Sequence, residues 1–170
     1  MATTIIGQEV AQLKQTFEVT ERYGVYITKI GLFFKSVSST FPITLHLRFA
    51  GDNKGSIASV LKTASNMSSA ASASAATETQ FIFDKPIALL PGLYAFTLES
   101  ADLNEYVAWH SQLGDFKLGT TQERVIKDIA KGSMFPPTVG GGQKVNKDAD
   151  LKFTIYRAEF AASSATAVFK

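Results

Sequence analysis

The chain has 170 residues, a formal net charge of +2 from 17 basic and 15 acidic side chains, 45% hydrophobic and 19% charged residues, and no cysteine. That is the size of one domain with one core. It excludes disulfides, zinc–cysteine sites and thiol nucleophiles, a Lys/Arg run of the kind that marks nucleic-acid binding, and any apolar run near the roughly 20 residues that cross a bilayer as a helix. A charge fraction below the usual quarter fits a surface partly covered by partners, or one in which Ser, Thr and Ala stand in for charges.

Residues 1–12 offer only Ile5, Ile6 and Val10 as core-grade side chains and read as an N-terminal arm. The opening lacks a basic segment followed by an apolar one, so synthesis and folding in a cytoplasm is the expectation. From Leu13 the pattern tightens. Phe17 and Val19 share one face of a short strand, and in VYITKIGLFFK the residues Ile30, Leu32 and Phe34 alternate with Gly31, Phe33 and Lys35, a period-two pattern that argues for a strand. Ile43, Leu45, Leu47 and Phe49 face one way and Thr44, His46 and Arg48 the other, as in an antiparallel strand with one wet face. GDNKG closes that strand as a tight loop, and Ile57–Thr63 reads equally as a strand or a helical turn.

Ser65–Thr77 is an Ala/Ser segment without an apolar stripe, expected as a surface loop. A strand with Phe81 and Phe83 on one face follows, then FDKPIALLPGLYAF, in which Pro91-Gly92 reverses the chain as in a β-meander. Beyond Gly114 the chain is richer in Gly, Lys and Asp, with short apolar pieces at Val125-Ile126 and Met134-Phe135. Leu151, Phe153 and Ile155 then mark a last strand, after which Ala158 and Phe160 fall on the opposite parity and would need a bulge to join the same core. Roughly eight or nine short strands with frequent turn signals and no helical period predict an all-β fold, an antiparallel β-sandwich of jelly-roll type spanning 13–160, with 161–170 as a C-terminal tail.

Few residues suggest chemistry. Trp109, Tyr106, His110 and Tyr94 form the one site-like group, suited to stacking on a sugar ring; Trp109, sharing parity with Val107, reads first as a core residue, with a ligand contact or a subunit interface as the lesser readings. His46 and His110 lie on different strands without a carboxylate nearby in sequence on the same face, short of the three or four ligands a metal needs. Asp52 with Asn53, Asp102 with Asn104 and Glu105, and Asp148 with Asp150 are oxygen-rich loops of the kind ordinary turns use, with calcium binding as the lesser reading. No GxSxG elbow occurs, Gly140-Gly141-Gly142 lacks phosphate-loop spacing, and Glu99 and Asp102 are not placed as an opposed carboxylate pair. The expectation is a protein with no catalytic, cofactor or metal residues.

The run TQFIFDKPIALLPGLYAFTLES, then EYVAWHSQLG, GSMFPP and DADLKFTIYRAEF, preceded by QTFEV, GVYITKIGLFF and FPITLHLR, resembles a jelly-roll module of contractile-tailed bacteriophage virion proteins, particularly baseplate and tail-associated ones. The likeness covers most of Gln15–Phe160. Where such modules often carry a Trp-bearing segment ahead of the DLKF strand, this chain has GGGQKVNKDA. The resemblance implies a non-enzymatic virion structural protein, made in the host cytoplasm, that docks to other virion proteins and self-associates, with no nucleic acid or membrane partner. Ile5 and Ile6 in the arm and Val168 and Phe169 in the tail are the expected assembly contacts. The alternative is a carbohydrate-binding module for host-surface recognition through Tyr94, Tyr106, Trp109 and His110.

Overall fold

The alternation read from the sequence becomes strands in a computed structural model, which describes residues 2–6, 12–50, 56–63, 71–101, 106–126, 132–136 and 145–160. The strands are β1 (Ala2–Ile6), β2 (Leu13–Val19), β3 (Val25–Ser36), β4 (Ile43–Phe49), β5 (Ala58–Lys62), β6 (Glu78–Leu89), β7 (Gly92–Ser100), β8 (Tyr106–Gln112), β9 (Met134–Phe135), β10 (Ala149–Leu151) and β11 (Phe153–Arg157). Their pairing is that of a long hairpin rolled up on itself. β1 pairs with β8, β2 with β7, β3 with β6 and β4 with β5, all antiparallel. The two resulting sheets are β1-β8-β3-β6 and β5-β4-β7-β2, and this nesting defines a jelly-roll β-sandwich. β9 extends the second sheet beyond β2.

β3 and β8 touch at Phe34–Ala108. β10 runs antiparallel to β8 and β11 antiparallel to β3, so the chain turns back at Lys152 and fills the wedge where β3 and β8 diverge.

Three sequence expectations change here. The first strand of the roll lies inside the segment read as an arm: Ile5 is registered with Val107 and Ile6 with Tyr106, so their backbones belong to the sandwich. Ile57–Thr63, left open between strand and turn, contains β5. The reversal at Pro91-Gly92 is not a hairpin: β6 pairs with β3 and β7 with β2 and β4, so Leu90-Pro91 carries the chain from one sheet to the other. An in-sheet hairpin and a sheet-to-sheet arch show the same alternation, because both sheets turn their apolar faces to one core.

The core lies between the sheets. Leu13, Phe17 and Val19 of β2, Leu45 and Leu47 of β4, and Phe96 and Leu98 of β7 face Ile30, Leu32 and Phe34 of β3, Phe81 of β6 and Leu151 of β10, all buried. Burying each such side chain contributes about 1.5–3 kcal/mol. Phe153 stands 5.2 Å from Phe96 and 6.5 Å from Phe17 between ring centroids, so a three-ring cluster joins the two sheets. Gln15 holds an inward position in this apolar row and is fully buried. Its amide is satisfied by the opposing sheet: Nε2 donates to Asp150 Oδ1 at 2.7 Å and Oε1 accepts from Leu151 N at 2.9 Å. A buried amide is tolerated only when paired in this way.

Thr28 is a bulge on β3, skipped in register against both β6 and β11. On the β6 side it faces the segment Phe83–Pro86, of which Asp84, Lys85 and Pro86 are exposed. Pro86, lacking an N–H, sits where the ladder is already interrupted.

Candidate functional site

The four residues proposed as sugar contacts do not form an open platform. Tyr106 points into the core, fully buried, and its hydroxyl donates to Phe41 O. Tyr94 is buried in the other sheet, with its hydroxyl donating to Leu90 O at 3.0 Å. Trp109 lies on the outer face of β8 yet is only 5% exposed, because the segment 71–77 covers it: Nε1 donates to Ser72 O at 2.8 Å, and Ser72 N in turn donates to Phe34 O. It therefore belongs to a satellite cluster beneath a loop. His110 is buried, its Nδ1 has no hydrogen-bond partner among the described residues, and burial pushes its pKa down, with the Asp115 charge opposing. Stacking on a sugar needs a free ring face, and burial removes it from these rings.

Of the other expected contacts, Val168 and Phe169 lie outside the described residues, as do Asp52, Asn53, Asp102, Asn104 and Glu105. Asp150 accepts from Gln15, and the described residues hold no group of three or more potential metal ligands.

Sequence spacing gave no sign of a carboxylate beside His46, but the fold supplies one from across the sheet. Glu99 of β7 is registered with Thr44 of β4, one step diagonal from His46, a separation long side chains span. His46 Nε2 stands 3.4 Å from Glu99 Oε2, and His46 Nδ1 is 2.8 Å from Ser59 Oγ of β5. Arg48 and Gln12 also reach the Glu99 carboxylate. Ser59, His46 and Glu99 stand in the order serine, histidine, carboxylate, but Nδ1 faces the serine and Nε2 the carboxylate, the reverse of a serine-protease triad. The cluster is a polar network across three strands.

The outer face of the first sheet is also closed by side chains. Glu78 accepts from Gln80 Nε2 at 2.8 Å and Tyr156 Oη at 2.7 Å, and Gln80 Oε1 accepts from Lys29 Nζ at 2.8 Å. Burial acts to raise the Glu78 pKa, but the hydrogen bonds from Gln80, Tyr156 and Thr154 and the Lys29 charge outweigh it and hold the carboxyl below its usual value. The same bond to Glu78 raises the Tyr156 phenol. Lys29 stands over the Tyr156 ring and Lys152 over Phe33.

No protein-family model, curated protein or solved structure matches the chain.

One concentration of exposed apolar side chains lies at one end of the sandwich, and others stand at Leu61 on the second sheet, Ile82 on the first, and Phe116, Leu118 and Ile126 beyond β8. β2, β4 and β6 run toward this end and β11 finishes there, so the β2–β3 turn, the start of β5, the β6–β7 link and the exit from β11 converge. Tyr23 (84% exposed), Leu90 (69%), Phe160 (67%), Tyr26, Phe49 and Leu93 are all exposed here. They ring the end of the sandwich, with Tyr26 on the outer face of the first sheet and Leu93 on the outer face of the second. Gly24, at φ +73°, lies against Leu89 and Leu90 so closely that a Cβ would stand 2.2 Å from Leu89 O. Phe160 meets Tyr26 edge to face at 5.0 Å, and Phe49 packs edge to face on Tyr94, whose hydroxyl reaches Leu90. Arg157 pairs with Glu21, and Arg22 stands over Tyr23, giving the patch a charged rim. Phe160 therefore does not join the core, and no bulge is needed to bring it there. An apolar centre with aromatic residues and a polar rim is the anatomy of a protein–protein contact. Alternation could not reveal it, because its members come from strand ends and turns that lie far apart in sequence.

Proposed function

We propose that this protein is a non-enzymatic structural component of a tailed-phage virion, of tail or baseplate type, and that it docks to neighbouring virion proteins through the apolar end of a rigid jelly roll. The observation that carries the reading is the gathering of Tyr23, Tyr26, Phe49, Leu90, Leu93 and Phe160 around one end of the sandwich. The ordered likeness of FDKPIALLPGLYAF, GSMFPP and LKFTIYRAEF to virion jelly-roll modules supports the phage setting. Symmetric assembly is the usual way such rigid blocks are used.

Quantitative mass spectrometry of purified particles tests this. The reading expects the chain at a fixed copy number per particle, retained through high-salt washing because an apolar contact resists screening. Its absence from washed particles would overturn the reading.

A further inference from the structure

Residues 71–77 lie across the outer face of the first sheet as a strap with few apolar contacts of its own. Ala75 is its only buried side chain, and it stands at φ +54°, a backbone conformation that costs energy wherever a Cβ is present. The other ties are polar. Ser72 N donates to Phe34 O and Trp109 Nε1 to Ser72 O, both at 2.8 Å, and Lys152 Nζ donates to Ala75 O at 2.6 Å. Two cations flank the strap. Leu151 is registered with His110 of β8 and Phe153 with Leu32 of β3, so Lys152 sits where the chain crosses between those strands. Its Nζ is 4.2 Å from the Phe33 ring centroid, and Lys35 Nζ is 5.9 Å from that of Trp109. Neither ammonium pairs with a carboxylate among the described residues. The half-buried Lys152 holds a neutral carbonyl where a carboxylate would bind more strongly. We propose that the strap is an internal stand-in for an acidic, extended peptide segment of a partner protein, which displaces 71–77 and sets a carboxylate on Lys152 and Lys35.

Three observations select an acidic peptide. The groups that tie the strap already recognise a peptide backbone: Phe34 O accepts from an N–H, and Trp109 Nε1 and Lys152 Nζ each donate to a carbonyl. Ala71 also bridges Phe34 in parallel, the pairing an added strand makes with a sheet. The two lysines supply the charge preference, while two cations on a chain of net charge +2 fall short of the basic track that follows a phosphate backbone. A segment anchored by one strained alanine belongs to the low-stability end of a fold, from which displaceable covers are drawn. The site lies on the first sheet, away from the apolar end, so it adds a second docking surface to the assembly reading without depending on it.

Trp109 is the only tryptophan, so its fluorescence in the full chain reads the site directly. The probes are a synthetic heptapeptide of the 71–77 sequence carrying Ala73→Asp and Ala76→Asp, and the same heptapeptide unsubstituted. The expected result is a saturable change in emission with the acidic peptide and affinity at least roughly tenfold weaker for the neutral one, the scale of one charge-assisted hydrogen bond. Lys152→Gln should weaken the acidic peptide by a similar factor even though it also loosens the strap. Ser72→Pro removes the N–H given to Phe34 O and the Oγ that accepts from Ser74 N and Ala76 N. It should raise acrylamide quenching of Trp109 and tighten binding several-fold, because a larger share of molecules is open. Thermal melts by circular dichroism verify that both variants fold. No saturable response in Ser72→Pro overturns the inference, as does equal affinity for the two peptides or an unchanged affinity in Lys152→Gln. A response to polygalacturonate oligomers with none to the acidic peptide also overturns it, by making the ligand an acidic sugar. Any of these failures leaves the virion reading standing, since that is decided by the composition of washed particles.

Discussion

Gln15 Oε1 accepts a hydrogen bond from the Leu151 N–H at 2.9 Å, joining β2 of one sheet to β10 of the other inside the core. Replacing Gln15 by Leu keeps the volume but strands the buried Leu151 N–H and removes a partner from Asp150. Leaving a buried donor unpaired costs about 1–3 kcal/mol. Chemical denaturation of Gln15→Leu is expected to show that loss with an unchanged m-value. A neutral or stabilising substitution would mean that water or another group satisfies Leu151 just as well.

Gly31 lies beneath the Glu78 carboxylate: a Cβ there would stand 2.0 Å from Glu78 Oε1 and 2.3 Å from its Cδ. Gly31→Ala must therefore displace Glu78 from Gln80 and Tyr156, costing about 1–2 kcal/mol. In a Glu78→Ala background the same substitution has nothing to displace, and its cost should fall to near zero. A double-mutant cycle measures the difference; simple additivity would show that Gly31 is needed for another reason.

Acid should weaken the fold in two steps whose signs follow from the shifts. The His110 pKa is lowered by burial, so the unfolded chain takes up the proton first, and stability falls as pH drops below about 6.5. The Glu78 pKa is lowered by its hydrogen bonds and Lys29 despite burial, so its contribution is present above about pH 4.3 and is lost as pH falls through the folded-state value. At the alkaline end the raised Tyr156 pKa gives a contribution present below about pH 10 and lost as pH rises through the folded value. Denaturation midpoints between pH 7 and 5 should fall less for His110→Gln than for wild type. Equal slopes would remove His110 from the account.

Trp109→Phe keeps most of the ring but deletes the Nε1 donor to Ser72 O. The expected effect is local: about 1 kcal/mol, with faster amide exchange across 71–77 and unchanged exchange in β4 and β7. Exchange that rises uniformly would make Trp109 a support of the whole sandwich.

The layers of this fold were legible wherever the side-chain period was clean. ITLHLRF gave β4 with both faces correctly assigned, and Phe81 with Phe83 gave the inward row of β6. What alternation cannot encode is the identity of a strand's partner, so the Leu90-Pro91 link looked like a hairpin, and Ile5 and Ile6 looked like an arm although their backbones complete the roll. The site residues failed for a related reason. Tyr94, Tyr106, Trp109 and His110 were singled out by type, but burial follows from what packs over a residue, and Trp109 is covered by an Ala/Ser segment with no apolar signal of its own. Glu99 beside His46 and the joining of Tyr23, Leu90 and Phe160 depend on register and on which loops share an end, which emerge only once the hairpin is rolled.

Docking through the apolar end is tested most directly by cryo-electron microscopy of the intact particle at side-chain resolution. The account predicts Tyr23, Tyr26, Leu90 and Phe160 buried against another virion chain, with both outer sheet faces less covered than this end. Density in which this end faces solvent while a sheet face or the opposite end makes the contacts would contradict it.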